Sequence, residues 1–465
     1  MRTSGTNLDF ITFSIYLALV GIGWAMIYTV GYGQGGYSGD FFSFLKTSAG
    51  KQLIWVAVAM GVFVVSFAID SKFWQTFSSI IYAACLLSLV AVLIFGKTIK
   101  GATSWFDFGA GITLQPSEFM KFGTCVALAG YLSSYANNLR SLKTQLYSIG
   151  IFALPMLLIL LQPDAGSAMV FLAFFVVLYR EGFPGWVFAL GFSVATIFVL
   201  GLVHPTSYII LALAAICIFI LAWNQEKRLY WLAGFGLLVA VAFFAIGKGY
   251  LFYTVLGSAA VILGLYVWHF YKRKVSLANV VVVAFIVGSI LSYTAHFTFN
   301  NFLKPHQQER IQVWLQPSKA DPQGAAYNLN HSKMAIGAGG LLGKGYLEGN
   351  FTQGHFVPEQ ITDFIFCAIG EEQGFLGVII IIGLYLALLF RIVYIAERQK
   401  SDFNRLFAYG VASVLFIHFF INIAMTMGLM PIIGIPLPFL SKGGSSLIGF
   451  TIMIAVLLKL DASRG

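Results

Sequence analysis

The sequence predicts an all-α, polytopic helical membrane protein, built as one integral membrane domain over residues 1–465. Of these residues 59% are hydrophobic and only 10% are charged, and the mean hydropathy is +0.85, values typical of a chain whose solvent is lipid. Its apolar runs are about 20 residues long, as an α-helix needs to cross a bilayer. Because the strands of a membrane barrel are about half as long and alternate in polarity, helices are predicted instead.

Fourteen apolar runs are bounded by charged residues or by clusters of proline and glycine, and each is predicted to span the membrane. The first is too long for a signal-peptide core and lacks a small-residue cleavage site, so it should remain as a helix. The predicted spans cover residues 10–31, 52–70, 74–96, 117–135, 147–162, 164–180, 184–203, 206–223, 228–247, 249–268, 275–296, 363–390, 404–428 and 443–460.

Lysine and arginine recur in every second connection between the spans. By the positive-inside rule, these connections and both termini should lie in the cytoplasm. Lys248 is the one basic residue of a tight turn that falls on the opposite face. That face also carries the connection 97–116, the large loop 298–362 and the turn 428–444. The cytoplasmic set is Lys72, Arg140, Lys143, Arg180, Lys227, Arg228, Lys272, Arg273, Lys274, Arg398, Lys400, Arg405 and Arg464.

Several common kinds of site are not predicted. The net charge of +10 comes mostly from short loops between spans, so nucleic acid is excluded as a partner. The glycine pairs of the large loop follow no strand and do not fit the pattern G-x-x-x-x-G-K-[ST], so no ATP site is indicated. The four cysteines lie inside apolar runs without metal-ligand spacing and are expected to be core residues: Cys85, Cys125, Cys217 and Cys367.

Three acidic residues lie where a polar loop enters an apolar run. A carboxylate at membrane depth costs several kcal/mol unless it faces water, a cation or the interior of the bundle. Asp363, Glu371 and Glu372 are therefore candidate functional residues. On a helix that rises about 1.5 Å per residue, Asp363 would lie near the membrane surface and Glu371 roughly 12 Å deeper.

The start of the fourth span carries a charged pair next to an aromatic residue. Trp105 fits either an interfacial anchor or a substrate contact. Glu118 fits the positive end of a helix that begins at Pro116. Lys121 lies one turn inside an apolar helix and needs a partner, which Glu118 at i−3 can provide.

A short break and the large loop add further polar groups. Asp164, between two spans, fits either a helix cap or a polar lining residue. The large loop is expected to be partly helical and lid-like or re-entrant, with glycine hinges. Its Arg310, Lys333 and Lys344 are candidate anion contacts; solvation at the surface is the alternative for each and is favoured for Lys344.

The turn 428–444 is rich in proline and then in glycine and serine where the last helix begins. Ser441, Ser445 and Ser446 beside Lys442 fit either a cradle for an oxyanion or an ordinary capped helix start.

Carboxylates, cations and backbone donors on one face suit a lipid-linked phosphate or pyrophosphate at the membrane surface. Cations would stabilise the diphosphate as a leaving group, and Asp363 would accept the proton of an attacking hydroxyl. A divalent cation, magnesium or manganese, bridging Asp363 and the diphosphate is an alternative role.

Five ordered motifs, over nearly the whole chain, resemble the SEDS glycosyltransferases of bacterial cell-wall synthesis. The form Val-Pro-Glu-Gln before Thr-Asp is closer to the elongation branch of that family than to its division branch. The motifs are Leu114–Glu118 with Lys121, Gln162–Gly166, Ser332–Gly337 with Gly343–Gly345, Phe356–Phe366 with Gly370–Glu372, and Pro438–Ser446.

The resemblance implies a polymerase that joins lipid II into glycan strands and releases undecaprenyl diphosphate. It implies an inner-membrane protein with a periplasmic active face, acting with a class B penicillin-binding protein and the elongation machinery. Asp363 matches the family's essential loop aspartate, and Trp105 matches an outer-loop tryptophan important for activity. With Asp363 catalytic, the predicted substrate-binding residues are Trp105, Glu118, Lys121, Asp164, Arg310, Lys333, Glu371, Ser441 and Lys442.

The chain departs from the family pattern in three places. Ile361 stands where the family usually has a histidine before Thr-Asp, so no histidine assists Asp363 there. Lys442 replaces the usual tyrosine and adds a cation, which fits either a contact with the diphosphate or a side chain that only snorkels to the membrane surface. The family typically has ten spans, so about four extra spans are predicted, with inserted hairpins over residues 206–297. The inserted hairpins could serve either lipid packing or contact with a partner protein, and the sequence does not decide between the two.

Two other functions fit the same pattern. A lipid II flippase or other transporter would also have many spans, intramembrane acids and broken helices, but it would favour inverted repeats, which are not seen. A non-catalytic scaffold for the penicillin-binding protein would not need Asp363. The polymerase is the preferred prediction.

Overall fold

Helices make up most of the computed structural model, which confirms the all-α prediction. The structure describes residues 8–32, 41–99, 101–109, 113–134, 137–225, 228–271, 275–303, 305–317 and 324–463. Five basic residues of the predicted cytoplasmic set lie outside the described residues: Lys227, Lys272, Arg273, Lys274 and Arg464.

The α-helices are numbered in chain order. They are α1 (Phe10–Tyr32), α2 (Phe41–Lys46), α3 (Ser48–Ala68), α4 (Ser71–Thr76), α5 (Ser78–Phe95), α6 (Pro116–Leu132), α7 (Leu142–Leu161), α8 (Ala165–Val170), α9 (Phe174–Arg180), α10 (Gly185–Val203), α11 (Thr206–Trp223), α12 (Arg228–Gly247), α13 (Leu251–Tyr271), α14 (Val275–Asn301), α15 (Pro305–Leu315), α16 (Ala325–Ala338), α17 (Asn350–Gln353), α18 (Ile365–Glu397), α19 (Asp402–Thr426) and α20 (Gly444–Ala462).

Twelve helices of the described chain are long and apolar enough to cross a membrane, and each corresponds to a predicted span. The other two predicted spans, 117–135 and 164–180, are also helical. The first is α6, with 17 residues, and the second is the apolar stretch Ala165–Arg180, in which a 3-10 turn separates α8 from α9. Every predicted span therefore has a helical counterpart.

A small antiparallel sheet lies in the connection before α6, where no strands were predicted. Its central strand contains Thr103, Trp105 and Phe106, residue types that suit strands. The N–H of Thr103 donates to the carbonyl of Gln162 at 3.2 Å, so the sheet is held at the break before α8. The strands, in spatial order, are β1 (Lys97–Ile99), β2 (Ala102–Asp107) and β3 (Thr113–Leu114).

The chain divides into two compact units. The first, Met1–Phe183 with Pro317–Gly465, contains α1–α9 and α16–α20, and the second, Pro184–Gln316, contains α10–α15. The predicted inserted hairpins, residues 206–297, fall within the second unit. The predicted large loop, residues 298–362, is partly helical, since it includes the end of α14 together with α15, α16 and α17.

The centre of the first unit is formed by α6, α19 and α20. In α19 and α20, 78% of the most apolar 18-residue stretch is buried, against 39% or less in the other ten long helices. Most of α6 is buried too, including its charged residues Glu118 and Lys121. The buried polar side chains on these three helices, Glu118 and Lys121 among them, therefore point into protein and not into lipid.

The start of α1 and the ends of α18 and α20 meet in one charged cluster. Arg391 and Arg398 both donate to the carboxylate of Asp9, at 2.6 and 3.1 Å, and Arg398 also bonds to Asp461. Burial raises the pKa of Asp9, but hydrogen bonds from Arg391 and Thr12 outweigh it and lower the pKa to about 2. The three helix ends share one side of the first unit, as the predicted topology requires.

Helix α18 is interrupted near one end by Gly374, with φ 62° and ψ −162°. This conformation is open almost only to glycine. A Cβ added at Gly374 would lie 2.2 Å from the backbone nitrogen of Gly343, so the segment 340–345 passes directly against the break. There the N–H of Lys344 donates to the carbonyl of Glu371 at 3.0 Å, replacing a bond of the helix.

Candidate active site

Asp363 lies in a tight turn directly before α18 and is half-buried. The turn is closed by Glu359, whose φ is +57° and whose carbonyl accepts the N–H groups of Thr362, Asp363 and Phe364 at 3.2, 3.0 and 3.3 Å. A Cβ added at Gly434 would lie 3.2 Å from Oδ2 of Asp363. The carboxylate therefore rests on a position that has no side chain.

Gly434 belongs to the Pro-rich loop, which we define as residues 427–443 between α19 and α20. Asn422, buried on α19, fixes this loop to the turn that carries Asp363. Its Nδ2 donates to the carbonyls of Asp363 at 2.9 Å and Ile435 at 2.7 Å. An amide nitrogen has two N–H groups, so both bonds form at once.

A buried charged pair reaches the same loop through a histidine. The ammonium of Lys121 donates to Glu118 at 2.7 Å, as the i−3 spacing predicts, and lies 2.9 Å from Nε2 of His418. Nδ1 of His418 lies 3.1 Å from the carbonyl of Pro436. Because an ammonium can only donate and a carbonyl can only accept, a neutral His418 carries its proton on Nδ1. Glu118 and Lys121 thus support the loop from inside the protein.

Asp164 caps α8 and joins three elements. One carboxylate oxygen accepts an N–H of α8, and the other accepts the side-chain amide of Gln115 at 2.9 Å. The backbone N–H of Gln115 donates to Ser445 Oγ at 3.1 Å, which attaches the start of α6 to the start of α20. A Cβ added at Gly166 would lie 2.6 Å from the carbonyl of Ile433. The break before α8 therefore packs against the Pro-rich loop.

Lys442 connects the end of the Pro-rich loop to two other segments. Its backbone N–H donates to the carbonyl of Ile361 at 2.9 Å, two residues before Asp363, and its ammonium donates to the hydroxyl of Ser48 at 3.0 Å. The side chain is half-buried. Burial and the nearby charge of Lys51 lower the pKa of Lys442.

Glu371, predicted to bind substrate, is completely buried and binds the protein itself. Its carboxylate accepts from Nζ of Lys344 at 2.9 Å, from the N–H of Phe351 at 2.9 Å, and from the N–H and hydroxyl of Thr352, both at 2.8 Å. It thereby holds the start of α17 and the segment before it. Lys344 was expected to be a solvated surface charge, but it forms an ion pair with Glu371 instead.

The serines at the start of α20 are also occupied by the protein. Ser441 Oγ accepts the N–H of Leu437 at 2.9 Å, and Ser446 Oγ donates to the carbonyl of Gly443 at 3.4 Å. With Ser445 bonded to Gln115, this geometry corresponds to an ordinary helix start more than to an oxyanion cradle.

The remaining predicted contacts are divided between the two units. Lys333 is exposed on α16, and a Cβ added at Gly428 would lie 2.6 Å from its Nζ, so its ammonium lies at the first turn of the Pro-rich loop. Trp105 is half-buried in β2. Arg310 is exposed on α15 and belongs to the second unit.

His418 and Asn422 were missed by the sequence analysis. They lie four residues apart on α19 and so share one face of that helix. The signal that would have found them is this pair of polar residues inside a predicted span, because polar groups at membrane depth are expected to have partners or a function.

Comparisons with known proteins match the whole chain. A family model described as a cell cycle protein, covering FtsW, RodA and SpoVE, matches residues 10–265 and 256–465. The peptidoglycan glycosyltransferase RodA of Treponema pallidum (strain Nichols) is 32% identical over 467 residues, covering 100% of both chains. The peptidoglycan glycosyltransferase MrdB of Escherichia coli (strain K12) is 29% identical, covering 86% of this chain and 83% of MrdB.

Solved structures share the fold. A chain from a study of how a peptidoglycan synthase complex coordinates polymerization and crosslinking aligns with a TM-score of 0.64 and 23% identity, covering 98% of each chain. The crystal structure of the rod shape determining protein RodA of Thermus thermophilus aligns with a TM-score of 0.55 and 20% identity, again covering 98% of each chain.

Proposed function

Because the chain belongs to the family of FtsW, RodA and SpoVE, we propose that it is a peptidoglycan glycosyltransferase that polymerises lipid II in cell elongation. Relatives matched over most of their length carry that activity in their names. The single observation that carries the proposal is the position of the Asp363 carboxylate against Gly434 of the Pro-rich loop, which has Lys442 near its end and Lys333 of α16 beside its first turn. That arrangement provides one proton acceptor and two cations around the same loop.

In the proposed reaction, a sugar hydroxyl attacks C1 of the donor sugar as the bond from C1 to the diphosphate oxygen breaks. The electrons of that bond leave with undecaprenyl diphosphate, and the proton of the hydroxyl passes to Asp363. Lys333 and Lys442, at the two ends of the Pro-rich loop, would balance the charge that develops on the diphosphate. Asn422 and the Glu118–Lys121–His418 group keep the loop in place and take no proton from the substrate.

A magnesium or manganese ion is a further proposal for the same site. Among the described residues, no group of three His, Cys, Asp or Glu side chains could hold a metal ion. Mg²⁺ is commonly bound by one or two carboxylates together with substrate phosphates, so Asp363 would hold it only with the diphosphate present. Such an ion would supply charge neutralisation to the leaving group.

We further propose that the protein lies in the bacterial inner membrane with Asp363 on the periplasmic side. The charged cluster at Asp9 supports this orientation, because it gathers the ends that the positive-inside rule assigns to the cytoplasm. For a partner, we propose a class B penicillin-binding protein that cross-links the product. The structural neighbour from a complex that couples polymerization to crosslinking supports it.

The test is polymerisation of purified lipid II by the full chain in detergent and in vesicles. The wild type should form glycan strands, and Asp363→Ala should not. Translocation of labelled lipid II across vesicles without polymer would indicate a flippase. Normal growth of cells whose only copy carries Asp363→Ala would indicate a scaffold.

The metal proposal is tested by adding a chelator to the same polymerisation assay. Loss of polymer with the chelator, restored by Mg²⁺ or Mn²⁺, would support a bound metal ion.

A further inference from the structure

The second unit contains an apolar cavity of about 540 Å³ between α11, α12 and α13. Its walls include Leu211 and Ala215 of α11, Val239 and Ala242 of α12, and Gly257 of α13. A smaller cavity of about 290 Å³ lies beside it and shares Phe235 and Leu238 as lining residues. Together the two cavities form a groove along α12, which we call the α12 groove.

The groove exists because α12 packs loosely. The core of this unit comes from α11, α13 and α14, and α12 reaches it only through partly buried Trp231 and Phe235. None of the residues of α12 is buried. These helices are long and apolar enough to span a membrane, so the groove lies at the depth of the hydrocarbon. Water would find almost no polar partners there.

The size of the groove favours an acyl chain over a helix of another protein. A helix 10–12 Å wide with a pitch of 5.4 Å occupies roughly 400–600 Å³ per turn. The larger cavity therefore takes about one turn, whereas a spanning helix needs about 20 residues. A flexible hydrocarbon chain fits a narrow space of this volume and replaces the contacts that α12 fails to make.

Groups suited to a lipid headgroup lie at one end of the groove. Lys248 is exposed in the turn between α12 and α13, two residues after the lining residue Ile246. Tyr250 and Tyr253, which line the same end, are 58% and 69% exposed, and such tyrosines are typical of the membrane interface. A cation beside interfacial tyrosines favours an anionic headgroup over a neutral one.

We propose that the α12 groove binds one acyl chain of an anionic phospholipid whose phosphate lies beside Lys248. The inference is independent of the reaction at Asp363, and it gives the predicted inserted hairpins a function in lipid binding.

Photolabelling tests the chain-binding part. The full-length protein is placed in phosphatidylcholine vesicles with a phosphatidylglycerol probe that carries a photoactivatable group on one acyl chain, and labelled peptides are mapped by mass spectrometry. Gly257→Leu should fill the groove, because a Cβ at Gly257 meets no atom within 4 Å. Labelling of α11–α13 should fall by about tenfold, since losing two buried methylene groups already corresponds to that factor.

The matched control is Gly264→Leu, two turns along α13, where a Cβ also meets no atom within 4 Å and which does not line the groove. It should label like the wild type. If Gly257→Leu also labels like the wild type, or if both variants lose labelling equally, only general bilayer lipid is present and the proposal is overturned. Ala242→Leu, which fills the groove from α12, replaces Gly257→Leu if that variant does not purify as folded protein.

Lys248→Glu tests the headgroup. It should lower labelling by the phosphatidylglycerol probe but not by a phosphatidylcholine probe of the same chain length. Arg228→Glu, at the other end of α12, should change neither. Equal loss with both probes would overturn the anionic headgroup. Labelling that a polyprenyl phosphate removes and excess phosphatidylglycerol does not would overturn the choice of a phospholipid.

Discussion

Asn422 bridges the carbonyls of Asp363 and Ile435, at 2.9 and 2.7 Å, with a single side-chain nitrogen. Asp363 carries the proposed catalytic carboxylate, and Ile435 follows the glycine against which that carboxylate rests. The bridge therefore sets the distance between the turn that carries Asp363 and the Pro-rich loop. Its removal should therefore slow the reaction as well as weaken the fold.

The first prediction concerns this bridge. Asn422→Ala removes the donor from both carbonyls, and the buried carbonyl of Ile435 alone should cost about 1–3 kcal/mol. We expect the polymerisation rate to fall by roughly 10–100-fold, because a carboxylate displaced by about 1 Å loses much of its effect. Asn404→Ala, near the other end of the same helix, should keep its rate. An Asn422→Ala enzyme with wild-type rate would show that the bridge does not position Asp363.

The second prediction separates the two bonds of His418. An asparagine at position 418 places its amide N–H near the position of Nδ1 of His418 and keeps the bond to the carbonyl of Pro436. A glutamine there places its amide group near the position of Nε2 and keeps the contact with Lys121. If the histidine acts by holding the loop, His418→Asn should retain more activity than His418→Gln. KM for lipid II should rise in the Gln variant. The reverse order would mean that the contact with Lys121 matters more.

The third prediction concerns the break in α18. Gly374→Ala forces a side chain into a backbone region that costs about 1–3 kcal/mol and into the nitrogen of Gly343. We expect a lower thermal unfolding midpoint and lower activity. Gly383→Ala, on the same helix with nothing within 4 Å of an added Cβ, should be neutral. Equal midpoints for the two variants would show that the break is not needed.

The fourth prediction follows from the lowered pKa of Lys442. The amine loses its proton as pH rises through a pKa below its ordinary 10.5, so a cation that aids the reaction is present below that pKa and lost above it. Lys442→Arg stays charged, so its alkaline loss of rate should move to higher pH. Lys51→Gln should shift the wild-type profile in the same direction, because it removes a repelling charge. Superimposed profiles would exclude Lys442 as the titrating group.

Much of the fold was predictable because it depends on local properties. Run length and hydropathy identified fourteen helical segments, and the i−3 spacing identified the pair of Glu118 and Lys121. Such signals lie within one or two turns of helix, where sequence spacing and distance in space agree.

The rest depends on contacts between distant parts of the chain. His418 lies 297 residues from Lys121, and no spacing rule connects them. The sheet around Trp105 forms in a connection too short for a strand pattern to stand out, and the break at Gly374 is stabilised by the segment 340–345, which the apolar run does not reveal. Glu371 looked available for substrate because its partners, Lys344 and the start of α17, come from the loop before it.

The most direct test replaces one oxygen of Asp363 and leaves its backbone bonds intact. Glycan-strand formation from lipid II should be measured for Asp363→Asn beside Glu359→Gln, which changes a nearby acid that closes the same turn through its main chain. We predict that Asp363→Asn folds, binds lipid II and makes no polymer, while Glu359→Gln polymerises. Polymerisation by Asp363→Asn at the wild-type rate would contradict a catalytic role for that carboxylate.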